Sequence, residues 1–153
     1  MAGMRVPSAL PIVITTLLLA RDTAAQTIVP HAEPTPNCDA CVEWNAPREP
    51  FRIFGNTYWV GTDGLGAILV TSDEGHILID GGLAESARPI AESIQALGFR
   101  LGDVRLILNS HAHYDHAGGI AALQQASGAS VAASAPSAVV LETGRLLLRP
   151  WRV

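Results

Sequence analysis

The chain has 153 residues, 48% of them hydrophobic, and a formal net charge of −4. That is enough for one domain of ordinary size with a core. Its 10 basic residues, all arginine, are outnumbered by 14 acidic ones, a balance that gives no reason to expect a nucleic-acid partner.

Residues 1–25 read as a secretory signal peptide. A weakly basic start leads into an apolar run over 6–20 broken by Pro7 and Pro11, and Thr23-Ala24-Ala25 offers small residues for cleavage before Gln26. The run is shorter than the ~20 residues that span a bilayer. The expectation is therefore a secreted or periplasmic protein with no stable membrane anchor.

Residues 26–50 carry Pro30, Pro34, Pro36, Pro47 and Pro50. Missing donors and fixed φ angles predict an extended arm rather than helix or sheet. The arm holds the only cysteines, Cys38 and Cys41. One Cys-x-x-Cys lacks the second pair of a zinc ribbon. A local disulfide is the plain reading in an oxidising compartment, with partners in a missing downstream half as the alternative. His31 reads as solvated.

Residues 51–54 and 57–60 read as two short strands about Gly55-Asn56, a good hairpin turn pair. Residues 67–71 and 76–80 form a second pair, with Asp73-Glu74-Gly75 turning between them. Phe54, Tyr58 and Trp59 are expected in the core, with a substrate-groove floor as the alternative. His76, beside a turn, reads as exposed and not as a ligand. Residues 85–97 are helical: Ala87, Ile90, Ala91, Ile94 and Leu97 make one apolar stripe. Pro89 must then lie in the first turn, and Gly98 suits the end.

Residues 104–109 read as a buried strand. His111-Ala112-His113-Tyr114-Asp115-His116 follows, with four potential metal ligands in six residues. Zinc takes neutral imidazole and carboxylate donors. On a helix or a strand these four would point apart, so the spacing predicts an irregular loop just past a strand end, where α/β sheets place their sites. Gly118-Gly119 then opens a second helix, with Ile120, Ala121, Leu123 and Gln124 on its pattern. Residues 130–133 suit a strand and 136–143 a third helix.

His-x-His-x-Asp-His resembles the signature of the metallo-β-lactamase superfamily of zinc hydrolases. The stretches over 53–62, 76–81 and 106–111 resemble the third subclass of secreted zinc β-lactamases, and the likeness runs from about residue 41 to 144. It implies an α/β chain that is the truncated N-terminal half of the αβ/βα sandwich, with 51–144 as the N-terminal part of the domain. It implies hydrolysis of β-lactam antibiotics by a zinc-activated hydroxide, a small-molecule β-lactam partner and a role in antibiotic resistance. By resemblance His111 and His113 serve one Zn2+, Asp115 and His116 a second, and Asp115 also orients the water. Asp80, before Gly81-Gly82, lies under the zinc loop in that family and holds it by hydrogen bonds; read from residues alone, the same stretch is also a plain turn. Each zinc needs one further histidine, and none follows His116, so the two-zinc site is expected to be incomplete. Residues 145–153 do not resemble the family and read as an aberrant tail, as from a frameshift, an early stop or a cut gene model. The alternatives are a non-catalytic zinc-binding fragment, or another hydrolase of the superfamily acting on thioesters or lactones.

Overall fold

A computed structural model of the protein describes residues 38–144. The expected signal peptide, residues 26–37 of the arm with His31, and the 145–153 tail lie outside the described residues.

Six strands form one sheet in chain order: β1 (Phe51–Phe54), β2 (Thr57–Trp59), β3 (Ile68–Val70), β4 (His76–Ile79), β5 (Val104–Leu108) and β6 (Ser130–Ala132). β1 to β4 run antiparallel as two hairpins, while β4, β5 and β6 are parallel. The change of sense follows from the connections. Parallel neighbours need a crossover, supplied by α2 (Ala87–Ala96) between β4 and β5, and by α3 (Tyr114–Ala117) and α4 (Ile120–Ser127) between β5 and β6. The chain continues into α5 (Ala135–Thr143), capped at its start by Ser134, whose hydroxyl accepts the Ser137 N–H.

The cross-strand register sorts the side chains onto two faces. Tyr58, Leu69, Leu78, Ile107 and Val131 lie opposite one another in one row. Leu69, Leu78 and Ile107 are fully buried there, with Ile90 and Ile94 of α2 and Ile120 and Leu123 of α4 in the same core. The expected stripe of α2 therefore faces the sheet, and Pro89 sits in its first turn. The helix stops because Phe99 N–H reaches the Ile94 carbonyl and Gly98 N–H that of Gln95, a Schellman cap. In α4 the buried place is taken by Ala122, while Ala121 and Gln124, expected on the apolar pattern, are exposed. Ile120, Leu123 and Ser127 set the buried stripe at i, i+3 and i+7, which leaves those two on the outer side.

The opposite face carries Trp59, Ile68, Ile79 and Leu108 in one row and Val70, Ile77 and Leu106 in the next. None of these is buried, and Ile77 and Leu108 remain 37% and 39% exposed. An apolar sheet face on which no described helix packs is what half of a two-layer sandwich leaves, and such surfaces self-associate. Replacing Ile77 and Leu108 with threonine, which suits a strand, is expected to raise the monomer fraction in size-exclusion chromatography. The same change should cost only about 1–2 kcal/mol, because both side chains stand on the uncovered face and lose cross-strand neighbours but no core packing.

Three expectations change. The described part of the arm contains a one-turn helix, α1 (Cys41–Trp44), because no proline falls between 37 and 46 and Cys38 is disulfide-bonded to Cys41. The local-disulfide reading is thus the one the structure shows. Phe54 is 83% exposed beside the hairpin turn, where the register shift between Arg52 and Phe54 takes it away from the core; Tyr58 packs against the core, while strand alternation puts Trp59, expected there too, half-buried on the opposite face. His76 is half-buried rather than exposed: its ring meets the Phe99 edge and Nδ1 accepts the Ser72 N–H.

Candidate metal centre

The parallel pairing of β4 with β5 brings two strand ends side by side. Asp80 N–H donates to the Leu108 carbonyl at 2.9 Å, and Asn109 N–H to that of Ala132 at 2.8 Å. Asp80 has φ +63, a left-handed geometry that aspartate tolerates better than most residues. The residue is 6% exposed, and its carboxylate sits beneath the start of the histidine loop.

That carboxylate is saturated. Oδ1 accepts Ser110 N–H at 2.8 Å and Asn109 Nδ2 at 3.3 Å. Oδ2 accepts the Ser110 hydroxyl at 2.7 Å and His116 Nδ1 at 2.9 Å. An ionised carboxylate only accepts, so His116 Nδ1 is the donor, and in the neutral imidazole Nε2 is the nitrogen left with a lone pair. Ser110 has its proton committed to Asp80 and can accept from His111 Nδ1 at 3.1 Å, which leaves His111 in the same tautomer. A hydrogen bond to the far nitrogen is how proteins prepare imidazole for a metal.

A second contact fixes the loop's far end. Gly81 N–H donates to the His116 carbonyl at 2.8 Å, Gly119 N–H to that of Gly82 at 3.3 Å, and Gly82 bridges Ala117 in parallel. The two Gly-Gly pairs touch backbone to backbone: a Cβ on Gly119 would stand 2.2 Å from the Gly81 carbonyl oxygen. Any side chain there forces the two segments apart.

The imidazoles converge. The His111 ring centroid lies 4.1 Å from that of His116 and 4.6 Å from that of His113. His116 Nε2 faces Asp115 Oδ2 at 3.5 Å; with His116 neutral, two acceptors meet there with no hydrogen between them. Three imidazoles and a carboxylate are the donors zinc takes, and facing lone pairs suit a cation. In kind and proximity the residues fit such an ion. Among the described residues, however, no three His, Cys, Asp or Glu side chains are closed around one point.

The expectation of a wholly irregular loop needs correction. Only 109–113 is irregular; Tyr114–Ala117 is a turn of helix, with Ala117 N–H on the His113 carbonyl. The helical turn sends Asp115 and His116 to adjacent positions, and His113 stays in the extended stretch before it. Ser110 and the two glycine pairs had no chemical signal of their own. Ser110 matters because it touches both Asp80 and His111, and only the strand pairing reveals that.

A parallel strand end carrying a carboxylate-braced cluster of imidazoles defines the class: one layer of an α/β fold that carries the donor types of a metal centre. The profile of the metallo-beta-lactamase superfamily matches residues 66–153, running past the last described residue, and the chain belongs to that superfamily. Membership implies divalent-metal binding. Among solved structures, Rm3 metallo-beta-lactamase is 59% identical with a TM-score of 0.70, over 72% of this chain and 41% of that one. MEM-A1, a subclass B3 metallo-beta-lactamase isolated from a soil metagenome library, is 60% identical with a TM-score of 0.66, over 67% and 39%. A hydroxyacylglutathione hydrolase of Albidiferax ferrireducens is 45% identical over 65 residues, 42% of this chain and 23% of that protein. The chain thus spans about two fifths of the length of the lactamases it matches.

Proposed function

We propose that this chain is the N-terminal part of a zinc-dependent β-lactam hydrolase, exported after removal of residues 1–25. The observation that carries the reading is the histidine loop braced on Asp80, within a chain 59–60% identical to B3-type metallo-β-lactamases over about two thirds of its length. Among the described residues no helix is long and apolar enough to cross a membrane, which is compatible with a secreted or periplasmic product and gives no further support.

His111 and His113 would hold one zinc, and Asp115 and His116 another. When bound, zinc lowers the pKa of a water to about 7 and polarises the carbonyl under attack. The chain's own part is positional. Asp80 and Ser110 keep the ring nitrogens of His111 and His116 facing the site. Asp115, half-buried beside His116 Nε2, offers its carboxylate to a water hydrogen and so aims that water at the lactam carbonyl. Two protein donors per ion are fewer than the three of ordinary catalytic sites, so zinc is expected to be weakly held and turnover by the 153-residue chain low or absent.

The 45% match to a hydroxyacylglutathione hydrolase favours a second reading, thioester hydrolysis; the expected export signal argues against it. Zinc titration of the 26–153 chain, with hydrolysis of a chromogenic cephalosporin and of an S-acylglutathione followed with and without chelator, tests both. Zinc binding lost in His111→Ala and His116→Ala, with any cephalosporin turnover sensitive to chelator and to Asp115→Ala, is the expected result. Turnover of the thioester alone would favour the second reading. Zinc binding indifferent to both histidine substitutions would overturn the site.

A further inference from the structure

The short helix α1 and its disulfide have no part in the reading above, yet they are tied to the histidine loop. Cys41 is buried with Leu65 and Leu83 in a cluster separate from the main core, with Cys38 and Trp44 packed against it. Asn45, which ends α1 and donates its N–H to the Cys41 carbonyl, accepts the Ser86 hydroxyl on Oδ1 at 2.6 Å. Ser86 is fully buried and its oxygen accepts the Leu83 N–H at 3.0 Å. Leu83 directly follows Gly81-Gly82, the segment that binds the His116 carbonyl and bridges Ala117. A Cβ on Gly118 would meet the Leu83 carbonyl carbon at 2.9 Å, so this backbone is also the wall behind α3.

We propose that the Cys38–Cys41 disulfide, acting through α1, Leu83 and Gly81-Gly82, positions His116, and that opening it loosens the histidine loop. The physical reason is size. A helix of one turn has almost no stability of its own, so α1 holds its place through contacts outside itself. At its start these are the covalent clip and one small apolar cluster. At its end they are the Asn45–Ser86 hydrogen bond and the 62–64 loop, where Thr62 Oγ1 and Gly64 N–H donate to the Trp44 carbonyl and Asp63 N–H to that of Ala46. Reduction by a dithiol delivers two electrons and two protons to the sulfurs, giving two thiols and the dithiol's own disulfide. Cys41 then loses its tether beneath Leu83. Cys38 is only half-buried, which leaves one sulfur open to attack.

The consequence for metal binding rests on His116 being a ligand, as proposed above; the positioning itself does not. Hydrogen exchange at the Gly81 amide, which donates to His116, reads the positioning directly in the full chain. The same chain loaded with Co2+ reads the ligand geometry in its visible bands. On reduction with a trialkylphosphine, or in Cys38→Ala/Cys41→Ala, Gly81 exchange is expected to speed up while the amides of β3 and β5 hold. Co2+ bands should shift, and Zn2+ affinity should fall about tenfold, the lower end of what outer partners of a metal ligand contribute. Asn45→Ala, which keeps the disulfide, should move the same readouts in the same direction, and with the reduced parent it decides the matter if the double variant does not fold. If the oxidised chain takes up neither metal, the ligand assignment fails and Gly81 exchange alone decides the positioning. Unchanged Gly81 exchange in the reduced chain and in Asn45→Ala would overturn the proposal.

Discussion

Replacing Asp80 with alanine is expected to cost about 3 kcal/mol of stability, since several buried or half-buried donors lose their acceptor at once. The affected groups are Ser110 N–H and Oγ–H, Asn109 Nδ2 and His116 Nδ1. Urea unfolding of the purified chain measures the loss, which for a domain of this size lowers the melting point by roughly 10–20 °C. Zinc affinity should fall about 10- to 100-fold as the two imidazoles lose their fixed tautomer. Asp80→Asn separates the contributions. It accepts the φ of +63 and keeps one acceptor oxygen, but sets an amide N–H2 against donors. Its stability should lie between aspartate and alanine, with zinc affinity close to that of the alanine variant. An alanine variant as stable as the parent, with zinc affinity unchanged, would show that the loop holds itself.

Gly119→Ala is expected to be at least as damaging, for a different reason. The added carbon would lie 2.2 Å from the Gly81 carbonyl oxygen and 2.9 Å from that of Leu83. Both are backbone atoms, so no rotamer change relieves the clash. The segments must separate, breaking the Gly81-to-His116 hydrogen bond and the Gly82–Ala117 bridge. A loss of about 3 kcal/mol or more is expected, at the upper end of overpacking costs. Gly128→Ala is the control: its Cβ meets nothing within 4 Å, but the residue has φ +74. It should lose only about 1–2 kcal/mol of left-handed strain and leave zinc affinity untouched. Equal effects of the two substitutions on zinc affinity would show that the glycine contact has no role in the site.

Much of this architecture is legible in local pattern. The two hairpins, α2 with its proline and Schellman cap, β5, α4, β6 and α5 all fall within a few residues of where alternation, helical spacing and turn chemistry put them. Those signals act over a few residues and need no partner. Where local logic fails, a distant contact intervenes. A disulfide makes one helical turn in a proline-rich arm. Backbone pairing with Gly81 and Gly82 goes with the helical turn at 114–117, where metal-ligand geometry alone suggested loop. A register shift in β1 turns Phe54 to solvent.

By itself the sequence determined the order and type of the strands and of the longer helices α2, α4 and α5, though not of the one-turn helices α1 and α3, and the identity of the candidate donors, because helix and strand periodicity and the His-x-His-x-Asp-His spacing are written in neighbouring residues. Only the tertiary structure decided between the two readings of Asp80, a plain turn or a brace for the loop: its buried carboxylate, 30 positions before Ser110 and 36 before His116, holds both ends of the donor cluster. It also decided that two glycine pairs meet so closely that neither can carry a side chain, and that no described helix covers one face of the sheet. Those are facts about strands side by side, and parallel pairing joins residues that no short-range pattern connects.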